Sequence, residues 1–180
     1  MRNPLLTFFV ALSITLGFSQ ENYSLSSESV LTVEGSSTLH DWTVTANTFA
    51  GSIVLEGSVF KNISFDVEVA SIASTRGATM DKKTHNALKK DEHPKIFFSA
   101  ADIGFSDGED QTISGKLTIA GVEKEVPIKA SIKQSNGNIR ITGTQKITLQ
   151  HYNMEPPTAM FGSIVVGDDV FVNFDLVFAK

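Results

Sequence analysis

Four histidines, His40, His85, His93 and His151, are the residues best suited to hold a metal ion or move a proton. His85 and His93 stand too far apart for the i, i+4 spacing of a helical metal pair. His40 leads into Asp41-Trp42 and His151 into Tyr152, so one two-histidine site between distant loops stays open. A lone histidine beside an aromatic ring is more commonly a hydrogen-bonded structural residue. Ser36 and Ser37 follow Gly35 in a loop-like stretch, yet no Gly-x-Ser-x-Gly elbow occurs to raise a nucleophile. The carboxylate pairs Glu109-Asp110 and Asp168-Asp169 fall in turn-like sequence, where acids are ordinarily solvated. The chain has no cysteine, which removes disulfides, thiol catalysis and zinc–thiolate sites together. No catalytic residue, metal site or cofactor is expected from this inventory.

The elements that would position such residues are strands. After residue 20 the dominant period is two, the strand period. Ile63, Phe65, Val67 and Val69 alternate with Ser64, Asp66 and Glu68. Val126, Ile128, Ala130 and Ile132 form a second such face, and Ile139, Ile141, Gly143, Ile147 and Leu149 a third. Val170, Val172, Phe174, Leu176 and Phe178 form the last, with Phe171 and Val177 on its other side. Weaker strands read at Ser29–Glu34, Trp42–Thr48, Gly51–Glu56, Ile96–Ala101 and Gln111–Ile119. Asp107-Gly108, Asn136-Gly137 and Gly167-Asp168 read as tight turns, Asn136-Gly137 most clearly because both residues tolerate positive φ. One stretch, Thr79 to Lys90, reads as a short helix with Thr79 as its cap. Met80, Thr84, Ala87 and Leu88 share one face, Lys82, Lys83, Asn86, Lys89 and Lys90 face water, and Pro94 ends it.

Residues 1–19 have the plan of a secretory signal peptide: Arg2, an apolar run from Leu5 to Phe18, and small residues at Gly17 and Ser19. The run is shorter than the roughly 20 residues of a spanning helix. Cleavage after Ser19 is expected, and the lack of a nearby cysteine excludes a lipid-modified lipoprotein. The remainder, 20–180, suits one domain with a substantial core. With 41% hydrophobic and 19% charged residues the composition is that of a globular protein. Its net charge of −5 becomes −6 once Arg2 is removed, so phosphate backbones are repelled and nucleic acid is not an expected partner. About eight antiparallel strands with one short helix point to an all-β barrel or sandwich. A barrel of that size has room for its own side chains or for one small ligand. Gly115 and Gly143, on or beside inward faces, suit an open interior, although glycine also serves bends and bulges.

The chain also resembles a known family. Gly35-Ser36-Ser37-Thr38-Leu39-His40-Asp41-Trp42 is similar to the Ser-Thr-x-His-x-Trp signature of one branch of the YceI-like proteins. The helix through Met80-Asp81 and Ala87-Leu88, followed by His93-Pro94-Lys95-Ile96-Phe97-Phe98, resembles that family's helix and next strand. Gly115-Lys116-Leu117-Thr118-Ile119-Ala120-Gly121-Val122 resembles its Gly-x-Leu-Thr-Ile-x-Gly-Val strand and turn. Pro156 to Gly162 and Val166 to Val170 resemble its closing segment. The matching stretches keep the family's order and span nearly all of 20–180. Two positions depart: Glu28-Ser29 stands where many members have His-Ser, and Ala87-Leu88 where many have paired Phe.

The resemblance implies an extended lipocalin-like antiparallel barrel, exported to the periplasm or beyond, with an apolar tunnel. It implies a binding protein rather than an enzyme, with a polyisoprenoid, a quinone or a similar long-chain lipid as partner and transient membrane contact as a further expectation. The inward phase of the strands names the expected tunnel lining: Phe65, Val67, Ile128, Ile141, Phe174 and Leu176, with Leu88 at one wall. The alternatives are a ligand-free exported module acting through its surface, and a metal-dependent or hydrolytic enzyme using His40 or His151. His40, Asp41 and Trp42 are expected to form a structural corner around a buried indole. The oligomeric state is left open.

Overall fold

Alternating apolar and polar residues leave one face of each strand to bury, and closing the sheet on itself buries all of those faces at once. The computed structural model of the protein describes residues 19–180, so the expected signal peptide lies outside the described residues except for Ser19. The strands are β1 (Gln20–Leu25), β2 (Val30–Ser37), β3 (Trp42–Ala46), β4 (Phe49–Glu56), β5 (Val59–Glu68) and β6 (Ile72–Ser74). The helix α1 (Ala78–Ala87) follows, then β7 (Lys95–Ala100), β8 (Ile103–Gly104), β9 (Asp110–Ile119) and β10 (Val122–Ser135). β11 (Asn138–Thr148), β12 (Thr158–Ala159) and β13 (Ile164–Ala179) complete the chain.

Eight strands close an antiparallel ring in the order β1-β4-β5-β7-β9-β10-β11-β13, with β13 returning to β1 through Ser24↔Ala179 and Leu25↔Phe178. β13 is 16 residues long, roughly 50 Å at about 3.3 Å per residue. Its far half outruns β1 and pairs with β2 instead, and the wall continues there through β3 and β6. β1 and β2 are thus one kinked stave interrupted at residues 26–29. β3 and β4 are a second, broken at Asn47-Thr48, and β5 and β6 a third, broken by the 3-10 turn Val69–Ser71. Kinked staves lengthen the barrel without adding strands.

The register of β11 against β13 runs unbroken from Ile139↔Phe178 to Thr148↔Asp169, which fixes Ile141 on the inside. Asn136-Gly137 is the β10–β11 turn, with φ of 51° and 79°. Ala120-Gly121 makes the equivalent β9–β10 turn. Gly167-Asp168, expected as a tight turn, instead lies inside β13, where the register against β2 shifts between Val166 and Val170. A bulge uses the same residue types as a turn, and the long strand absorbs it. The helix starts one residue earlier than expected. Gly77 precedes it, Thr79 makes no cap, and the Asp81 carboxylate accepts the Ser74 amide instead. β1 was not foreseen, because its polar Gln20-Glu21-Asn22 start masks the alternation of Tyr23 and Leu25.

The interior is packed unequally. Toward the β10–β11 turn Tyr23, Ile53, Phe60, Ile132, Ile139 and Phe178 form a solid core. Phe60 stacks on Phe105 with ring centroids 4.6 Å apart. Toward α1 the smaller clusters around Ile119, Tyr152 and Met154, and around Leu31, Val44 and Ile72, line the wall rather than fill the middle.

Candidate functional site

Above the solid core the barrel is hollow. An inner chamber of about 160 Å³ has Ile63, Ile113, Ile141 and Phe178 among the residues of its wall, and all four also belong to the solid core below. An outer chamber of about 140 Å³ lies between α1 and the barrel's end. Val33, Ile72, Ile96, Ile119, Ile147 and Val172 border both, so the two meet at a shared apolar belt. The wall of the inner chamber is apolar throughout, even though Gln145 borders it. Gln145 turns its amide to the Lys146 carbonyl instead.

The structure places Phe65, Val67, Ile128, Ile141, Phe174 and Leu176 on the wall of the inner chamber and Leu88 on that of the outer one. Several wall residues were not named in advance. Ile96, Phe98, Leu117 and Ile119 alternate on recognised strands and could have been read from the same period. Met80, Thr84 and Ala87 share the helical face of Leu88 and border the outer chamber with it. Leu149 continues the inward phase of Ile147, whereas Met154, Pro157 and Val166 come from irregular or bulged backbone, where no period marks an inward residue.

Glycines keep the space open. A Cβ at Gly143 would lie 2.6 Å from the ring tip of Phe174, its register partner on β13. At Gly115 it would lie 2.6 Å from the ring of Phe98. Each ring therefore lies across a bare stretch of the neighbouring strand instead of projecting into the lumen. The same device holds Trp42, whose indole covers Gly35 so closely that a Cβ there would lie 2.3 Å from it. The indole Nε1 donates to the Ser36 carbonyl at 3.1 Å, while Asp41, expected in the same corner, is exposed. Trp42 is only half-buried, however, because one side of its ring borders the outer chamber.

Charge enters only at the mouth. Arg76 and Lys83 are the charged residues bordering the outer chamber. Lys83 was expected to face water; its Nζ instead donates to the Thr158 carbonyl at 2.6 Å and hooks α1 to β12. Arg76 meets Nε2 of His40. A guanidinium only donates, so Nε2 is the acceptor and the ring proton sits on Nδ1, a buried atom without a partner. A nitrogen held by a cation is a poor metal ligand. His85 is committed to the Ile72 carbonyl at 2.9 Å, His93 packs over Gly121, and His151 is exposed. Among the described residues no three His, Asp or Glu gather into a metal-binding group. Tyr152 is buried beside this end with its hydroxyl unpartnered, and burial pushes its pKa up. The arrangement can enclose an apolar chain.

The sequence pattern of the YceI-like domain matches residues 18–178. The chain belongs to the YceI-like family. Solved structures agree in fold. BcnA of Burkholderia cenocepacia superposes with a TM-score of 0.70 at 17% identity, covering 83% of this chain and 96% of that one. A polyisoprenoid binding domain from Saccharophagus degradans, implicated in plant cell wall breakdown, gives 0.71 at 17% identity over 88% and 98%. The Campylobacter jejuni YceI protein gives 0.62 at 21% identity over 76% and 84%. No curated protein matches the sequence. This YceI-like barrel thus shares its fold with structures of 17% to 21% sequence identity.

Proposed function

We propose that this YceI-like protein is an exported carrier that holds one long-chain apolar ligand, a polyisoprenoid or a quinone-like lipid, inside the barrel. The observation that carries this reading is the pair of adjacent chambers, sharing an apolar belt, with a polar rim. Along β11 the wall from Ile141 to Leu149 covers about 26 Å of strand, or roughly 20 Å of barrel axis once strands tilt by about 40°. Such a space suits an elongated ligand. Export rests on the signal-like residues 1–19.

Affinity should then scale with chain length. Large ligands retain about 0.3 kcal/mol per heavy atom, so burying about twenty carbons gives roughly −6 kcal/mol and forty roughly −12, a step from tens of micromolar to nanomolar. Native mass spectrometry of the purified protein, followed by organic extraction, should release one reproducible long-chain lipid at one per barrel. Prenyl chains of increasing length should compete with it in order of length until the tunnel is full. An empty barrel that ignores such chains, or a stoichiometric metal in their place, would overturn the reading.

A further inference from the structure

Of the seven large apolar residues that reach the surface among the described residues, three, Val30, Phe97 and Phe171, are scattered over the barrel wall. Four are not. Met160 and Phe161 form the tip of the hairpin between β12 and β13, with 69% and 110% of their surface exposed. Val165, on its returning strand, is 40% exposed. Leu39 is 66% exposed and joins them because its neighbour Thr38 is bonded to the hairpin on both sides. The Thr38 amide donates to the Val165 carbonyl at 3.0 Å, and the Val165 amide donates to Thr38 Oγ1 at 3.2 Å.

The tip is held outward by its backbone. Met160, Phe161 and Gly162 are consecutive left-handed residues, with φ of 50°, 56° and 88°. Large side chains rarely adopt that conformation, and here it keeps two of them in water with no packing in return. Exposed apolar clusters of this kind mark contact surfaces. The hairpin also stands at the tunnel mouth, since Pro157 and Val166 at its base border the outer chamber.

Charge selects the partner. The segment from Arg76 to Lys90 carries Arg76, Lys82, Lys83, Lys89 and Lys90 against one acid, Asp81, in a chain whose net charge is −5. Lys83 ties this segment to the hairpin through Thr158, so the cations and the apolar tip share one end of the barrel. On the barrel wall Lys61, Lys95, Lys116, Arg140 and Lys146 are paired with carboxylates, whereas Lys124, Lys129 and Lys133 of β10 form no salt bridge with the described residues. Among the described residues Arg76, Lys82, Lys83 and Lys89 form no salt bridge; Glu155 borders the groove that Lys83 and Lys89 share. Apolar side chains beside free lysines are the combination that enters an anionic bilayer interface.

We propose that the Met160-Phe161 hairpin docks the tunnel mouth on an anionic lipid bilayer, with the α1 lysines against the phosphates and the two side chains among the acyl chains. The proposal goes beyond ligand binding: it assigns the surface from which an apolar ligand could pass without crossing water. It does not need an occupied tunnel, so its failure and that of the carrier reading are separately visible.

The absence of cysteine makes the test direct. Phe161→Cys and, at the opposite end beside the β10–β11 turn, Ser135→Cys are each labelled with a polarity-sensitive fluorophore in the full chain. Vesicles of phosphatidylglycerol and phosphatidylcholine should brighten and blue-shift the label at 161 and leave that at 135 unchanged. Vesicles of phosphatidylcholine alone should act far more weakly. Adding Met160→Ser should weaken the response about tenfold, the worth of one buried apolar side chain. Lys82→Glu with Lys89→Glu should weaken it at least as much, and salt should weaken the wild type. These positions are exposed or part-exposed, and unchanged circular dichroism would show that the variants fold. No response at 161, an equal response at 135, or a response that grows with protein concentration before any vesicle is added would overturn the proposal. The last outcome would assign the tip to a second copy of the chain.

Discussion

The two halves of this barrel are built from the same alternating strands, yet one is solid and the other hollow. At the solid end Tyr23, Ile53, Phe60, Ile132, Ile139 and Phe178 are each at most 1% exposed. At the hollow end Phe65, Ile128, Phe174 and Leu176 point inward just as regularly but keep accessible surface, because they face a chamber instead of one another. What differs is side-chain direction. At the solid end rings meet rings, as Phe60 meets Phe105. At the hollow end Phe98 and Phe174 lie over Gly115 and Gly143 and leave the axis free. Strand period decides which residues face inward; at Gly115 and Gly143 a bare strand lets a ring lie against the wall instead of reaching the axis.

The sharpest way to break this comparison is to truncate one large side chain at each end. Phe60→Ala removes a fully buried ring from a core that cannot collapse around the gap, and should cost about 3–5 kcal/mol. Denaturant unfolding measures it, and lipid binding by the folded fraction should be unchanged. At the hollow end the informative change adds volume. Leu176→Trp places an indole in the inner chamber, where overpacking should cost less than the roughly 1–3 kcal/mol of a filled core. Stability should stay near that of the wild type while lipid uptake is lost. If a folded Leu176→Trp variant takes up lipid as the wild type does, and Phe65→Trp behaves the same way, the chambers are not the binding site.

The inward phase of the strands was legible in the sequence, the division into a solid and a hollow half was not, and the illegible parts share a physical reason. The inward phase of β5, β10, β11 and β13 follows from branched residues at every second position, so their lining residues could be named in advance. Period, however, reports orientation and not occupancy. Nothing in the alternation of Ile139 and Ile141 says that one is locked in solid core while the other also borders a chamber. Trp42 shows the same gap: a buried indole was expected, but the residue is half-buried and borders the outer chamber. The mouth was least legible. Lys83 looks solvated on a helical wheel until β12 supplies a carbonyl 75 residues away. Gly167-Asp168 has turn chemistry but serves a bulge, because β2 pairs with β13 at Val166 before it and from Val170 after it.

The smallest expected effect is acid sensitivity, and it distinguishes the ends through their charges. At the solid end Glu21 accepts hydrogen bonds from Lys180 at 2.9 Å and Tyr23 at 2.7 Å, which hold its carboxyl below the ordinary 4.5. Toward the mouth Lys146 and Thr148 lower Asp169 below 3.8, and on the wall Arg140 does the same for Asp175. A carboxylate with a depressed folded pKa binds its proton later in the fold than in the unfolded chain. Its stabilisation is therefore complete above the ordinary value and is lost as pH falls through the folded one. Melting temperature should be level at neutral and mildly acid pH and begin a shallow decline only below about 4.5. All three pairs are solvent-screened, so the decline should flatten in high salt. Glu21→Gln should remove its share in low salt without touching lipid uptake, since Glu21 lies at the solid end. A decline that starts near pH 6 would overturn the assignment of the acid sensitivity to these three carboxylates.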